Sequence, residues 1–214
     1  EGKDIMRGKF ITFEGGDGAG KSTQIRLLAE ALEQIGKKPI VTREPGGTAL
    51  AEEIRGWVLH HSSTVDPETE VLLMFAARSH HTSEIIEPAL ESGHWVLCDR
   101  YTDASYAYQG GGRGVSNHVI ASLEAIAARG LKPDLTLLLD LAVDAGIRRT
   151  GSRGDRDDRF ESEEFAFKER VRSAYHQVAA NDPDRVVTLD ASRPIDEIYE
   201  KLKNLIKERF GVPI

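Results

Sequence analysis

The chain has 214 residues, 40% of them hydrophobic and 29% charged, with a formal net charge of −7. That length suits one domain with a substantial core, and that composition excludes a disordered or fibrous chain. The acidic balance argues against a broad nucleic-acid-binding surface, and one cysteine, Cys98, excludes an internal disulfide and fits a reducing compartment.

No apolar run is long enough to cross a bilayer, and the N-terminus lacks the apolar core of a signal peptide, so the expected location is the cytoplasm. Residues 1–5, ahead of Met6, carry no structural pattern and read as an expression remnant; residues 6–214 read as a single domain. Short β-rich runs predict strands at residues 10–13, 39–42, 95–98, 135–139 and 186–189. Between the first two, Ile25, Leu28, Ala29, Leu32 and Ile35 repeat with helical spacing and stop at Gly36. Asp66-Pro67-Glu68 is a helix start, with Asp as N-cap and Pro in the first turn, and the helix carries Val71, Leu72, Met74, Phe75 and Arg78. A last amphipathic helix holds Ile195, Ile198, Leu202, Leu205 and Ile206. Uniformly apolar strands alternating with helices imply an α/β fold: a parallel sheet covered on both faces. Two glycine- and arginine-rich stretches, residues 109–114 and 151–159, read as mobile loops.

Gly15-Gly16-Asp17-Gly18-Ala19-Gly20-Lys21-Ser22, followed by Thr23, fits the phosphate-loop pattern G-x-x-x-x-G-K-[ST]. Its glycines let consecutive backbone N–H groups turn inward around a polyphosphate, and the helix that follows points its positive end at the same anion. Lys21 can reach the outer phosphates and the Ser22 hydroxyl can ligate Mg²⁺. Asp17 is out of place by this logic, because a carboxylate in an anion cradle repels phosphate. Its expected target is a hydroxyl, such as the sugar of a second substrate.

Asp99-Arg100 follows the run at residues 95–98, at the carboxyl end of a strand, where ligands of open α/β sheets bind. Asp99 suits the water shell of Mg²⁺, and Arg100 can clamp an acceptor phosphate; the alternative is an ion pair between the two. Tyr101 to Gln109, with Ser105 and the tyrosines, resembles a base-binding wall. Arg153, Arg156 and Arg159 stand among glycines and aspartates, as in a closing lid whose arginines lie over a migrating phosphoryl group. The seven histidines show no metal-binding spacing, and Cys98 is expected to pack in the sheet core.

Taken together, the chain resembles the bacterial thymidylate kinase family. The resemblance rests on residues 13–23, Thr42-Arg43-Glu44-Pro45-Gly46-Gly47-Thr48, Phe75-Ala76-Ala77-Arg78, Asp99-Arg100 through Tyr108-Gln109-Gly110-Gly111-Gly112-Arg113-Gly114, Pro133-Asp134-Leu135 and Asp158-Arg159-Phe160-Glu161. It implies a P-loop fold with a five-stranded parallel sheet, a lid at about residues 150–161, a homodimer, and Mg²⁺-dependent transfer from ATP to dTMP. By the same resemblance Asp17 meets the 3′-hydroxyl of dTMP, Arg100 its phosphate and Pro45 its sugar, with Arg55 and Gln109 also in that site. Arg78 and Ser105 would face the base edge, Tyr108 the 2′ position, and either Met74 or Phe75 would stack on the ring. Arg149 would flank adenine opposite Ala191, Ser192 and Arg193, and Arg153 would be the catalytic lid arginine beside Lys21 and Arg100. Rival readings are a kinase for another monophosphate or for a deoxyribonucleoside, and a P-loop switch. A nucleoside kinase needs a general base, whereas this site is built for an anion, and the N-K-x-D of a guanine switch is missing.

Overall fold

The computed structural model describes residues 6–60, 65–151, 160 and 163–214. Residues 1–5 and the arginine-bearing part of the expected lid, with Arg153, Arg156 and Arg159, lie outside these. Strands β1 (Phe10–Glu14), β2 (Ile40–Arg43), β3 (Val96–Asp99), β4 (Leu135–Asp140) and β5 (Val186–Asp190) coincide with the apolar runs of the sequence. All pairings are parallel, in the order β2-β3-β1-β4-β5. The helices are α1 (Lys21–Gln34), α2 (Ala49–His60), α3 (Pro67–His81), α4 (Glu87–Glu91), α5 (Thr102–Ser105), α6 (Asn117–Ala127), α7 (Val143–Gly151), α8 (Phe165–Asn181) and α9 (Ile195–Phe210). Asp66 caps α3 as its sequence implies, accepting from the Thr69 N–H at 2.9 Å with Pro67 in the first turn.

The period-2 alternation of the strands divides the core into two layers. Ile11, Phe13, Leu97, Leu135, Leu137 and Leu139 face α1 and α9, which supply Ile25, Leu28, Leu32, Ile198, Leu202 and Ile206. On the opposite face Phe10, Val96 and Cys98 meet Ile86, Leu90 and Tyr101, while Leu138 meets Val171 and Tyr175 of α8. Burying each large apolar side chain contributes roughly 1.5–3 kcal/mol, so the central strands are the most strongly held part of the fold. Thr12 and Thr136, buried on the second face, satisfy each other through a 2.7 Å hydroxyl bond. The strand order turns back at β1, so the crevice at the carboxyl ends of β1, β3 and β4 is the topological switch point.

One expectation fails. Residues 109–114 are not a mobile loop: Tyr106–Gly112 forms a wide π-type helical turn continuing α5 and packed on α8. The reason is close approach. A Cβ at Gly111 would lie 2.5 Å from the Ala174 Cβ and 2.9 Å from the Arg170 carbonyl oxygen. Arg170 also donates to the Gly112 carbonyl at 3.1 Å, and Arg113 pairs with the buried Glu70 at 3.2 Å. Gly111→Ala should therefore destabilise the protein by about 1–3 kcal/mol in urea unfolding, as overpacking does. A neutral or stabilising substitution, the usual effect of removing a flexible glycine, would restore the mobile-loop reading.

Candidate active site

The loop from β1 to α1 closes over the switch point. Gly15 has φ 132°, and a Cβ there would lie 2.4 Å from the Leu139 carbonyl oxygen, so only glycine fits between the strand ends. Gly16, Gly18, Ala19 and Gly20 complete the turn, and Lys21, Ser22 and Thr23 open α1. The buried Lys21 ammonium folds back onto the carbonyl oxygens of Gly15 and Gly16 at 3.2 and 3.4 Å, with Asp99 Oδ1 at 3.9 Å. Burial and the Arg100 charge lower its pKa, against the opposing pull of Asp99, Asp17 and Glu14.

Arg100 answers the puzzle of Asp17. Its Nη2 donates to Asp17 Oδ1 at 3.1 Å and to the Tyr108 hydroxyl at 2.9 Å, and the guanidinium lies over the Tyr108 ring, 5.1 Å from its centroid. Burial alone would raise the Asp17 pKa, but Arg100 and then Lys21 outweigh it and hold the carboxyl below its ordinary value. The alternative ion pair, between Asp99 and Arg100, is not formed among the hydrogen-bonded contacts of either residue. Arg100 itself has φ 68°, a left-handed conformation that costs an L-residue roughly 1–2 kcal/mol. Such a conformation persists only where the surrounding contacts hold it.

One cavity joins Asp17, Pro45, Arg55, Arg100, Tyr108 and Gln109, residues scattered along the sequence, with Leu59, Met74, Ala104 and Phe160 completing its wall. Arg55 donates to the Pro45 carbonyl at 2.9 Å. Gln109 gives its amide to Glu70 at 2.9 Å, and its buried Oε1 has no hydrogen-bond partner among the described residues. Of the two candidates for stacking, Met74 lines this cavity. Phe75 does not: it is buried with Val71, Val115, Ile120 and Ala127, and its ring lies 4.6 Å from the Arg78 guanidinium.

Arg78 and Ser105 also stand behind the cavity wall rather than on it. Arg78 is 1% exposed and donates to Glu44 at 2.6 Å, to the Ser105 hydroxyl at 2.8 Å and to the Tyr101 carbonyl at 2.9 Å. The other Glu44 oxygen meets His81 Nδ1 at 2.9 Å, and His81 Nε2 meets the Thr42 hydroxyl at 2.7 Å. Such a buried pair adds little net stability, but losing one partner strands the other charge, so the chain from Thr42 to Ser105 fixes the direction of Arg78. Glu44 and His81 escaped sequence reasoning. Glu44 sits within a recognisable motif, yet nothing local says that its carboxylate turns inward.

Ser22 and Asp99 line a second cavity along β2, and Asp99 Oδ1 is buried without a hydrogen-bond partner among the described residues. No group of three or more His, Cys, Asp or Glu side chains gathers as a metal cage among them. On the opposite side of the cradle, Arg149 Nη1 donates to the carbonyl oxygens of Gly18 and Ala191 at 3.2 and 3.1 Å, tying α7 to the loop after β5. In that loop Ser192 and Arg193 are both bonded to Asp190. Arg153 lies outside the described residues.

Glu14 is another residue that sequence reasoning passed over. It is fully buried at the end of β1, and burial, reinforced by Asp103, pushes its carboxyl up from 4.5 to about 8, against hydrogen bonds from Tyr175 and the Tyr101 N–H. With the folded value above the unfolded one, Glu14 contributes stability fully below pH 4.5 and loses it as pH rises towards 8. Glu14→Gln cannot titrate. Its stability relative to the parent should therefore climb with pH between 5 and 8, at up to about 1.4 kcal/mol per pH unit in urea unfolding. A pH-independent difference would contradict the raised value.

The protein-family model described as "Thymidylate kinase" matches residues 13–202. A thymidylate kinase from Alcanivorax borkumensis is 50% identical over 209 residues, covering 97% of this chain and all of the relative. One from Methylococcus capsulatus is 53% identical over 188 residues, 88% of this chain and 89% of its own. The crystal structure of thymidylate kinase from Ehrlichia chaffeensis superposes with a TM-score of 0.77 at 31% identity, over 94% of this chain and 99% of that one. A parallel sheet, a phosphate cradle and an acidic residue within it thus coincide with matches over nearly the full length, and the chain belongs to the thymidylate kinase family.

Proposed function

We infer that the chain transfers the γ-phosphoryl group of ATP to dTMP, giving ADP and dTDP for dTTP synthesis. The observation that carries this reading is the Asp17–Arg100 pair inside the cradle: a donor-phosphate loop and a cationic acceptor site meet at one point. Relatives named for this activity, half identical over 97% of the chain, support the choice of acceptor.

In this reading the cradle amides and Lys21 bind the ATP phosphates, and Arg149 with Ala191, Ser192 and Arg193 flanks adenine. Arg100 would hold the dTMP phosphate, Asp17 its 3′-hydroxyl, and Pro45 and Arg55 the sugar side of the cavity. Met74 offers a polarisable face to the ring, and Gln109 Oε1 an acceptor for the pyrimidine N3–H. Arg78 backs the same end, one helical turn from Met74. Tyr108, fixed by Arg100, crowds the 2′ position. The acceptor is already a phosphate dianion, so no general base is needed; the protein's task is alignment and positive charge. Lys21 and Arg100 supply that charge within the described residues, and the sequence adds Arg153 as the lid arginine.

Ser22 and Asp99, whose buried Oδ1 has no hydrogen-bond partner among the described residues, would hold a Mg²⁺ ion, which would supply positive charge at the phosphates. A homodimer is supported by exposed Leu50, Trp57, Leu72, Val119 and Ile126 on the neighbouring helices α2, α3 and α6. No helix of the described residues is long and apolar enough to cross a membrane, in keeping with work on cytoplasmic nucleotides.

A coupled assay across dTMP, dUMP, UMP and AMP tests the acceptor. The expected kcat/KM for dTMP exceeds those for UMP and AMP by about 10²-fold or more. A preference for UMP or AMP would refute the acceptor assignment, and ATP hydrolysis with no transfer would refute the kinase.

A further inference from the structure

The ends of β1 and β3 break their ladder in an unusual way. The parallel register pairs Phe13 with Asp99 and continues for one more bond, from the Arg100 N–H to the Phe13 carbonyl at 2.9 Å. Arg100 then turns left-handed, at φ 68°, which swings the following amide out of the ladder. The Tyr101 N–H is met by a side chain instead: Glu14 Oε1 accepts it at 2.7 Å. The other Glu14 oxygen accepts from the Tyr175 hydroxyl of α8, also at 2.7 Å. Glu14 and Tyr101 are fully buried and Tyr175 is 2% exposed, so neither bond competes with water.

One carboxyl group thus ties together the strand that leads into the cradle, the turn that carries Arg100, and α8. A buried carboxyl at the end of a central strand is costly, and a mere packing role would be filled by an apolar residue. What an apolar residue cannot do is accept the displaced amide. We propose that Glu14 is a positioning residue for Arg100: it substitutes for a backbone acceptor at the strand end, holds the left-handed turn, and so aims the guanidinium across the cradle at the acceptor phosphate. This rests on the reading of Arg100 as the acceptor clamp. Glu14 touches neither substrate in that reading and positions Arg100 through its turn.

Reach, rather than charge, is the property required. Glutamine has the same reach, with a carbonyl oxygen for the Tyr101 N–H and an amide for the Tyr175 oxygen. Aspartate keeps the acid but is one methylene short of spanning both partners. Three variants, Glu14→Gln, Glu14→Asp and Arg100→Ala, should be compared by calorimetric binding of dTMP, by kcat and KM for both substrates, and by Tm. Glu14→Asp should raise Kd and KM for dTMP about tenfold and leave the KM for ATP within about twofold, while Glu14→Gln stays within about threefold of the parent throughout. The proposal is overturned if glutamine is as damaging as aspartate, if aspartate binds dTMP like the parent, or if dTMP and ATP suffer equally. Arg100→Ala separates the two levels. If it leaves dTMP binding unchanged, the acceptor reading falls and takes this inference with it; if it weakens binding while the Glu14 pair does not, only the Glu14 role falls. Should Glu14→Asp fail to fold, Tyr175→Phe loosens the same carboxyl from α8 and should raise the dTMP Kd about threefold with ATP unaffected. No rise would overturn the proposal.

Discussion

Asp17 and Arg100 lie 3.1 Å apart where β1 and β3 end side by side, and the rest of the site is arranged around that contact. A loop built to hold polyphosphate is a poor place for a carboxylate, since its charge opposes the anion the loop must bind. The guanidinium offsets that charge, and Lys21 close by adds to its effect on the carboxylate. Asp17 and Arg100 both line the cavity beside the loop, so in the proposed function one loop serves two ligands, its amides the donor and the pair the acceptor. The contact depends on several local features: the parallel register of β1 and β3, the left-handed turn at Arg100, and a glycine at position 15 that lets the loop pass the Leu139 carbonyl.

The sheet makes such a contact possible and the flanking layers make it rigid. Because the strand order turns back at β1, the loops after β1 and β3 converge without long connections. Beneath them, buried polar links do what apolar packing cannot, which is to set direction. Glu44 and His81 orient Arg78, and Glu70 holds Gln109. Exposed pairs such as Arg26 with Glu30 are solvated on both sides and contribute at most about 1 kcal/mol each. The distinction matters because the buried links lie against the candidate substrate cavity, where a change of direction alters recognition more than stability.

The fold was largely legible in the sequence. Apolar runs marked the strands, helical spacing marked α1 and α9, and Asp66-Pro67 marked the start of α3. The cradle was legible because its function demands a fixed order of small residues and a lysine. Where the reading failed, the deciding contact was distant in sequence. Glycines at residues 110–112 look like part of a mobile loop until α8 is seen packed on Gly111. Met74 and Phe75 are adjacent on one helix, and only the packing of α3 against α6 shows which of them turns to the cavity. Glu14 and Glu44 resemble any other glutamates in a chain, since carboxylates are exposed by default and no local pattern announces an inward one. The Ser105 hydroxyl accepts from Arg78 behind the cavity wall, a contact 27 positions apart that no local pattern announces.

The central claim is that the carboxylate within the cradle exists for the second substrate's sugar. The most direct measurement compares kcat/KM for dTMP with that for its 3′-deoxy analogue, in the parent chain and in Asp17→Ala. If Asp17 receives the 3′-hydroxyl, the parent should lose about tenfold or more on the analogue, in line with a hydrogen bond to a charged group, and the variant should lose little. An equal loss in both proteins would contradict the account.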